Sequence, residues 1–174
     1  MRRVMLLRHA KSDRSPGLAD DQRPLNERGK RAARLMGGYI ARHALLPEFV
    51  LCSPAQRTRE TLAGVAEQWP AEVPTVFEER LYMASPKVIL SAIRDQKAQV
   101  HTLLLIGHNP GMHEAADLLV AAGDVELRER LREKFPTGAL VVIDFTISAW
   151  SRVHEHSGRL DRFVTPRAIA AATN

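Results

Sequence analysis

Two arginines and two histidines stand in this sequence where side chains can do chemistry. Arg8 and His9 directly follow the apolar run of residues 4–7. Arg57 comes five residues after the run of residues 49–52, and His108 follows the run of residues 102–106 after one glycine. A guanidinium fork matches phosphate oxygens in pairs. An imidazole titrates near neutrality, so it can carry a proton or offer a lone pair. Together the four describe an oxyanion pocket, provided the chain brings them to one place.

The flanking elements are of the kind that would do so. Residues 4–7, 49–52 and 102–106 read as short buried strands, the last nearly all apolar, as in a strand covered on both faces. Residues 11–26 read as a loop rich in Ser, Asp, Pro and Gly. Asn26 is expected to cap a helix reaching about residue 44, with Ala32, Leu35, Met36, Tyr39 and Ile40 on its apolar face. Ser53 and Pro54 have the form of a cap and first turn, for a helix reaching about Trp69. Ser85 and Pro86 repeat that form for a helix to about Lys97. Pro110 opens a fourth helix ending near Gly123, and a charged helix follows over residues 125–134. Residues 139–147 and 159–164 complete the strands.

This alternation predicts a single domain over residues 1–174. Its class is α/β, a three-layer α/β/α sandwich whose mostly parallel mixed sheet has antiparallel strands near the C-terminal end. In such sheets ligands bind beyond the carboxyl ends of the strands, where helix N-termini add free N–H groups and partial positive charge. Arg8, His9, Arg57 and His108 all fall at such ends.

Composition narrows the class of partner. The chain has 174 residues and a formal charge of +5, which favours anionic partners. Aromatic residues make up 5%, too little stacking surface to suggest a nucleic-acid binder. No run approaches the roughly 18 apolar residues of a membrane span. Arg2 and Arg3 precede an apolar run too short for a signal-peptide core, and Cys52 is the only cysteine, so a cytoplasmic monomer is expected. The histidines of "VHEHSG" (His154 and His156) have no third ligand in view, and no metal site is expected.

Five stretches carry a family resemblance. "LLRHAKS" resembles the Arg-His signature of the histidine phosphatase superfamily, the group that includes phosphoglycerate mutase. "DDQRPLNERGKRAA", "LCSPAQRTRET" and "LLLIGHNPGMHEAADLL" are similar to its later blocks, in the family's order. "FPTGALVVIDF" resembles the short branch named for SixA, the phosphohistidine phosphatase. The resemblance spans about residues 3–147. It implies a phosphoglycerate mutase-like fold and a phosphatase acting on phosphohistidine in a protein. His9 would be the nucleophile, Arg8 and Arg57 would bind the phosphoryl oxygens, and His108 would complete the phosphate site. A phosphate or sulfate anion would fit the pocket, and no metal or cofactor would be needed.

A histidine nucleophile must keep one ring nitrogen free while a hydrogen bond holds the other, and a backbone carbonyl after residue 9 is the expected partner. Larger members of the family use a carboxylate to protonate an alcohol leaving group. The candidates for that acid are Glu78 and Glu79 in "VFEERLYMAS", with Asp13 and Asp21 behind them; beside Arg80, the two glutamates also read as a surface ion pair. A phosphohistidine substrate needs no such acid, since it can leave as neutral imidazole. Alternatives are a small-molecule phosphomonoesterase using Glu79 and a non-catalytic phosphate-binding module. Lys11 reads as a rim residue.

Overall fold

The computed structural model describes residues 1–172. In chain order its strands are β1 (Arg2–Arg8), β2 (Phe49–Cys52), β3 (Thr75–Phe77), β4 (Thr102–Gly107), β5 (Val120–Gly123), β6 (Leu140–Phe145) and β7 (Gly158–Val164). The helices are α1 (Glu27–Arg42), α2 (Gln56–Ala66), α3 (Pro86–Arg94), α4 (Gly111–Leu119), α5 (Val125–Glu133) and α6 (Pro166–Ala172). One seven-stranded sheet has the order β3-β2-β4-β1-β6-β7-β5. β1 to β4 run parallel, and β6 lies antiparallel to both β1 and β7. This is the mixed α/β sandwich expected from the alternation of strands and helices.

The strands are apolar on both sides because both sides are covered. Val4 and Leu6 of β1 pack with α3, α4 and α5, through residues such as Ile93, Met112 and Leu131. Met5 and Leu7 face α1, α2 and α6, through Met36, Val65 and Ile169. In β4, Leu103 to Ile106 are fully buried. Burying each such side chain contributes about 2 kcal/mol, so the central strands form a stiff platform. No helix among the described residues is long and apolar enough to cross a membrane.

Local expectations hold in part. Asn26 caps α1, its side chain accepting from the Gly29 N–H at 2.8 Å, and Ser85 caps α3. Ser53 does not cap α2, which begins at Gln56 after Ala55; its hydroxyl is engaged elsewhere. The fourth helix stops at Leu119, because residues 120–123 leave the helix to pair with β7 as an edge strand. α6, which packs on α1, was not anticipated.

Candidate active site

Strand register sets the level of the site. β4 lies between β2 and β1, with Cys52 opposite Ile106 and Arg8 opposite Gly107. His9 donates its backbone N–H to the Gly107 carbonyl at 3.1 Å, and Ser53 donates its own to the Ile106 carbonyl at 3.0 Å. The three parallel strands therefore end side by side, and the residues after them meet. A cavity of about 150 Å³ opens there, lined among others by Arg8, His9, Arg57 and His108. Lys11, Arg14 and Arg23 add positive charge to its wall.

Each ring and fork is held from behind. Nδ1 of His9 lies 2.7 Å from the Ala10 carbonyl oxygen, the kind of backbone partner expected. A carbonyl only accepts, so Nδ1 carries the hydrogen and Nε2 keeps its lone pair. Burial, opposed by the Ala10 bond and helped by the nearby Arg57, Arg8 and Arg23, lowers the His9 pKa to about 4. At neutral pH the ring is therefore uncharged. Nε2 of His108 lies 2.7 Å from the Ser53 hydroxyl, and burial together with Arg57 lowers its pKa to about 3. The two ring centres are 5.4 Å apart.

Arg8 donates from Nη1 to the Phe135 carbonyl at 3.0 Å, and the Asn109 amide donates to the same oxygen at 2.9 Å. Arg57 sits in the first turn of α2 and is 2% exposed. Thr61, one turn later, donates to the Arg57 carbonyl at 2.7 Å and accepts the Ala10 N–H at 3.0 Å, tying α2 to the segment after His9. Gly111 starts α4 against the chain at Ala84, where a Cβ would stand 1.8 Å from the Ala84 carbonyl oxygen. Only glycine permits that close approach.

Four buried polar atoms here have no hydrogen-bond partner in the protein: Nε of Arg8, Nε of Arg57, Nδ1 of His108 and Oδ1 of Asn109. Buried donors without partners are costly, and they gather at functional sites. Two guanidinium donors and a histidine around one cavity suit an oxyanion.

The expected carboxylates lie elsewhere. Glu78 forms a surface ion pair with Arg80 at 2.6 Å, and Glu79 is exposed; neither lines the cavity. Asp13 accepts from Ser15, and Asp21 is exposed outside the cavity. The one carboxylate among the lining residues is Asp20, which no sequence pattern singles out. It accepts from the Tyr82 hydroxyl through a short hydrogen bond, from Arg57 Nη2 at 3.0 Å and from Arg23 Nη2 at 3.0 Å. The Tyr82 bond, then Arg57 and Arg23, hold its carboxyl well below the usual carboxylate range, so it stays ionised. Its contacts with Arg57 and Tyr82 come from 37 and 62 positions away, which no local pattern encodes.

Other histidines stand apart. His113, in the first turn of α4, bonds the Leu131 carbonyl and does not line the cavity. His154 and His156 gain no third ligand, and no metal-binding cluster of three His, Cys, Asp or Glu occurs among the described residues. Burial pushes the Cys52 thiol up to about 12, which leaves no thiolate for chemistry.

Comparison with known proteins agrees with this layout. The sequence profile of the histidine phosphatase superfamily (branch 1) matches residues 4–82. An uncharacterised protein of Mycobacterium tuberculosis is 37% identical over 163 residues, covering 92% of this chain and all of that protein. A structure from Agrobacterium tumefaciens, provisionally named phosphohistidine phosphatase SixA, is 31% identical with a TM-score of 0.81, over 95% of this chain and 98% of its own. The protein histidine phosphatase SixA complexed with tungstate shares the fold at 20% identity and a TM-score of 0.76, over 95% and 97% of the two chains. Relatedness along nearly the whole chain, with the fold in common, makes this protein a phosphatase of the histidine phosphatase superfamily, in its short SixA-type branch.

Proposed function

We propose that the enzyme removes the phosphoryl group from phosphohistidine on a protein, through a transient phosphohistidine at His9. One observation carries the choice of substrate: the cavity's one carboxylate, Asp20, is held ionised and has no proton to give. An alkoxide leaving group needs a proton, whereas phosphohistidine protonated on its second ring nitrogen leaves as neutral imidazole.

In the first step the lone pair on His9 Nε2 attacks phosphorus. The P–N bond to the substrate ring breaks, and its electron pair stays on that ring nitrogen. His9 becomes a phosphorylated imidazolium whose Nδ1–H is stabilised by the Ala10 carbonyl. Water then attacks phosphorus, inorganic phosphate leaves, and the lone pair returns to Nε2. Charge in flight spreads over the three equatorial oxygens. Arg8 and Arg57 bind them, each with a buried Nε–H to spare. A phosphoryl group beside His108 favours its protonated form, so that ring adds charge when the substrate is in place.

The test compares phosphate release from a phosphohistidine-bearing protein with release from a panel of phosphate esters, for wild type and His9→Ala. Selective release from the phosphohistidine protein, lost in His9→Ala, is the expected result. Preference for an ester, also lost in the variant, would replace the substrate and require Asp20 to be protonated in the complex.

A further inference from the structure

We propose that a cationic groove beside the catalytic cavity docks an acidic segment of the phosphorylated protein, an inference that rests on the phosphohistidine reading above. The groove has a volume of about 580 Å³ and shares Arg8, Lys11, Arg14 and Thr137 with the cavity. Beyond them it is lined by Arg28 in the first turn of α1, Lys134 just past α5 and Arg167 in the first turn of α6. Cations from separate parts of the chain thus converge on one trough that runs into the phosphoryl site.

Neither folding nor local pairing accounts for this convergence. No Asp or Glu lines the groove. Among the described residues, the side chains of Lys11, Arg14, Arg28, Lys134 and Arg167 make no ion pair or hydrogen bond. Several cations elsewhere are matched, as in Arg3 with Asp144 and Arg80 with Glu78. Like charges gathered without a counter-charge repel one another and weaken the fold. A ligand that supplies the missing negative charge offsets that cost and is steered toward the site.

The lining also discriminates among anions. It contains no Phe, Tyr or Trp, so a nucleobase has no ring to stack on. Lys11, Arg14, Arg28, Lys134 and Arg167 are all exposed, so they present spaced charges along an open trough. Spaced charges on flexible stems suit carboxylates strung along a peptide, placed beside a phosphohistidine that enters the cavity.

Two peptides test this: a phosphohistidine flanked by glutamates, and the same peptide flanked by glutamines. The protein variant is the triple Arg28→Glu, Lys134→Glu, Arg167→Glu, whose positions lie outside the catalytic cavity. Wild type is expected to prefer the glutamate peptide by about tenfold in kcat/KM, a preference that salt weakens and the triple variant loses. Turnover of N-phosphorylated imidazole, which does not reach the groove, should be unchanged in the variant and certifies its fold. Equal use of the two peptides by wild type, or an undiminished preference in the variant, would overturn the inference. Calorimetric titration with the unphosphorylated glutamate peptide reads the groove without catalysis, so it still decides if phosphohistidine is not the substrate. Binding no tighter to wild type than to the triple variant would sink the docking site. So would stronger binding of a nucleoside diphosphate than of the peptide, lost in the variant, which would make the occupant a second phosphate.

Discussion

The carboxylate of Asp20 and the guanidinium of Arg57 meet at 3.0 Å, while Arg57 Nη1 also donates to the Asp20 backbone carbonyl at 2.6 Å. Asp20 thus aims the Arg57 fork and at the same time sets a negative charge at the edge of the cavity. A phosphate entering the site meets that charge. Asp20→Asn keeps an oxygen for Arg57 and removes the charge. Inorganic phosphate should then inhibit more strongly, its inhibition constant falling roughly fivefold, or about 1 kcal/mol for a half-exposed charge. Product-inhibition kinetics check this; an unchanged constant would mean that Asp20 does not act on the bound anion.

Activity should persist into acid. The attacking form of His9 is the neutral ring, and its pKa is lowered to about 4. kcat/KM is therefore expected to stay level from about pH 8 to pH 5, apart from titration of the substrate itself, and to fall as His9 protonates near pH 4. A pH–rate profile on a substrate that does not titrate in this range is the measurement. An acid limb near 6.5, the value of a solvated histidine, would contradict the buried ring geometry.

The same two rings set a stability trend. In the unfolded chain His9 and His108 bind protons near pH 6.5, whereas in the fold they do so only near about 4 and about 3. Between these values the unfolded state holds more protons, so stability rises with pH through this window and is lost on acidification. Thermal unfolding from pH 7 to pH 4 should show a falling Tm, and the fall should be shallower in His108→Gln.

The sequence made the strand ends legible because a short apolar run that breaks into charged residues has few other meanings. β2 coincides with its expected bounds, the carboxyl ends of β1 and β4 lie one residue further on, and β1 starts two residues earlier. Ser53 shows the limit of local pattern. Ser-Pro before a helix is the ordinary cap signature, yet here the hydroxyl turns toward His108, a partner 55 residues away. Asp20 was hidden for the same reason: an aspartate in a polar loop looks solvated until the fold brings Arg57 and Tyr82 to it. β5 was hidden because Val120 to Gly123 has too few residues to set a period of its own, and only β7 beside it makes the segment a strand.

Ser53 is fully buried and is the protein partner of His108 Nε2. In Ser53→Ala the ring loses the bond that orients it, while little volume changes. kcat is expected to fall about tenfold with KM for substrate less affected, because a mispositioned donor matters most when charge develops. Ser53→Thr, if it keeps the hydroxyl in place, should restore much of the rate. An unaltered kcat in Ser53→Ala would show that His108 is held by packing alone.

Thr61 joins the nucleophile's segment to the helix that carries Arg57, accepting from Ala10 N–H and donating to the Arg57 carbonyl through one hydroxyl. It is 1% exposed, so water cannot take over either role. Thr61→Val keeps the shape and removes the oxygen. It leaves the buried Ala10 N–H without an acceptor, a cost of about 1–3 kcal/mol, while the loss on the helix side is small because that carbonyl sits in an α-helical ladder. Ala10 also supplies the carbonyl that holds His9 Nδ1, so a shift of this residue turns the nucleophile away from phosphorus. Denaturant unfolding should report the stability loss, and kcat should fall by more than a tenfold factor in the same variant. Thr61→Ser, which retains the oxygen, should recover both. A variant that loses stability but keeps its rate would separate the two roles and locate the orientation of His9 in the Ala10 carbonyl alone.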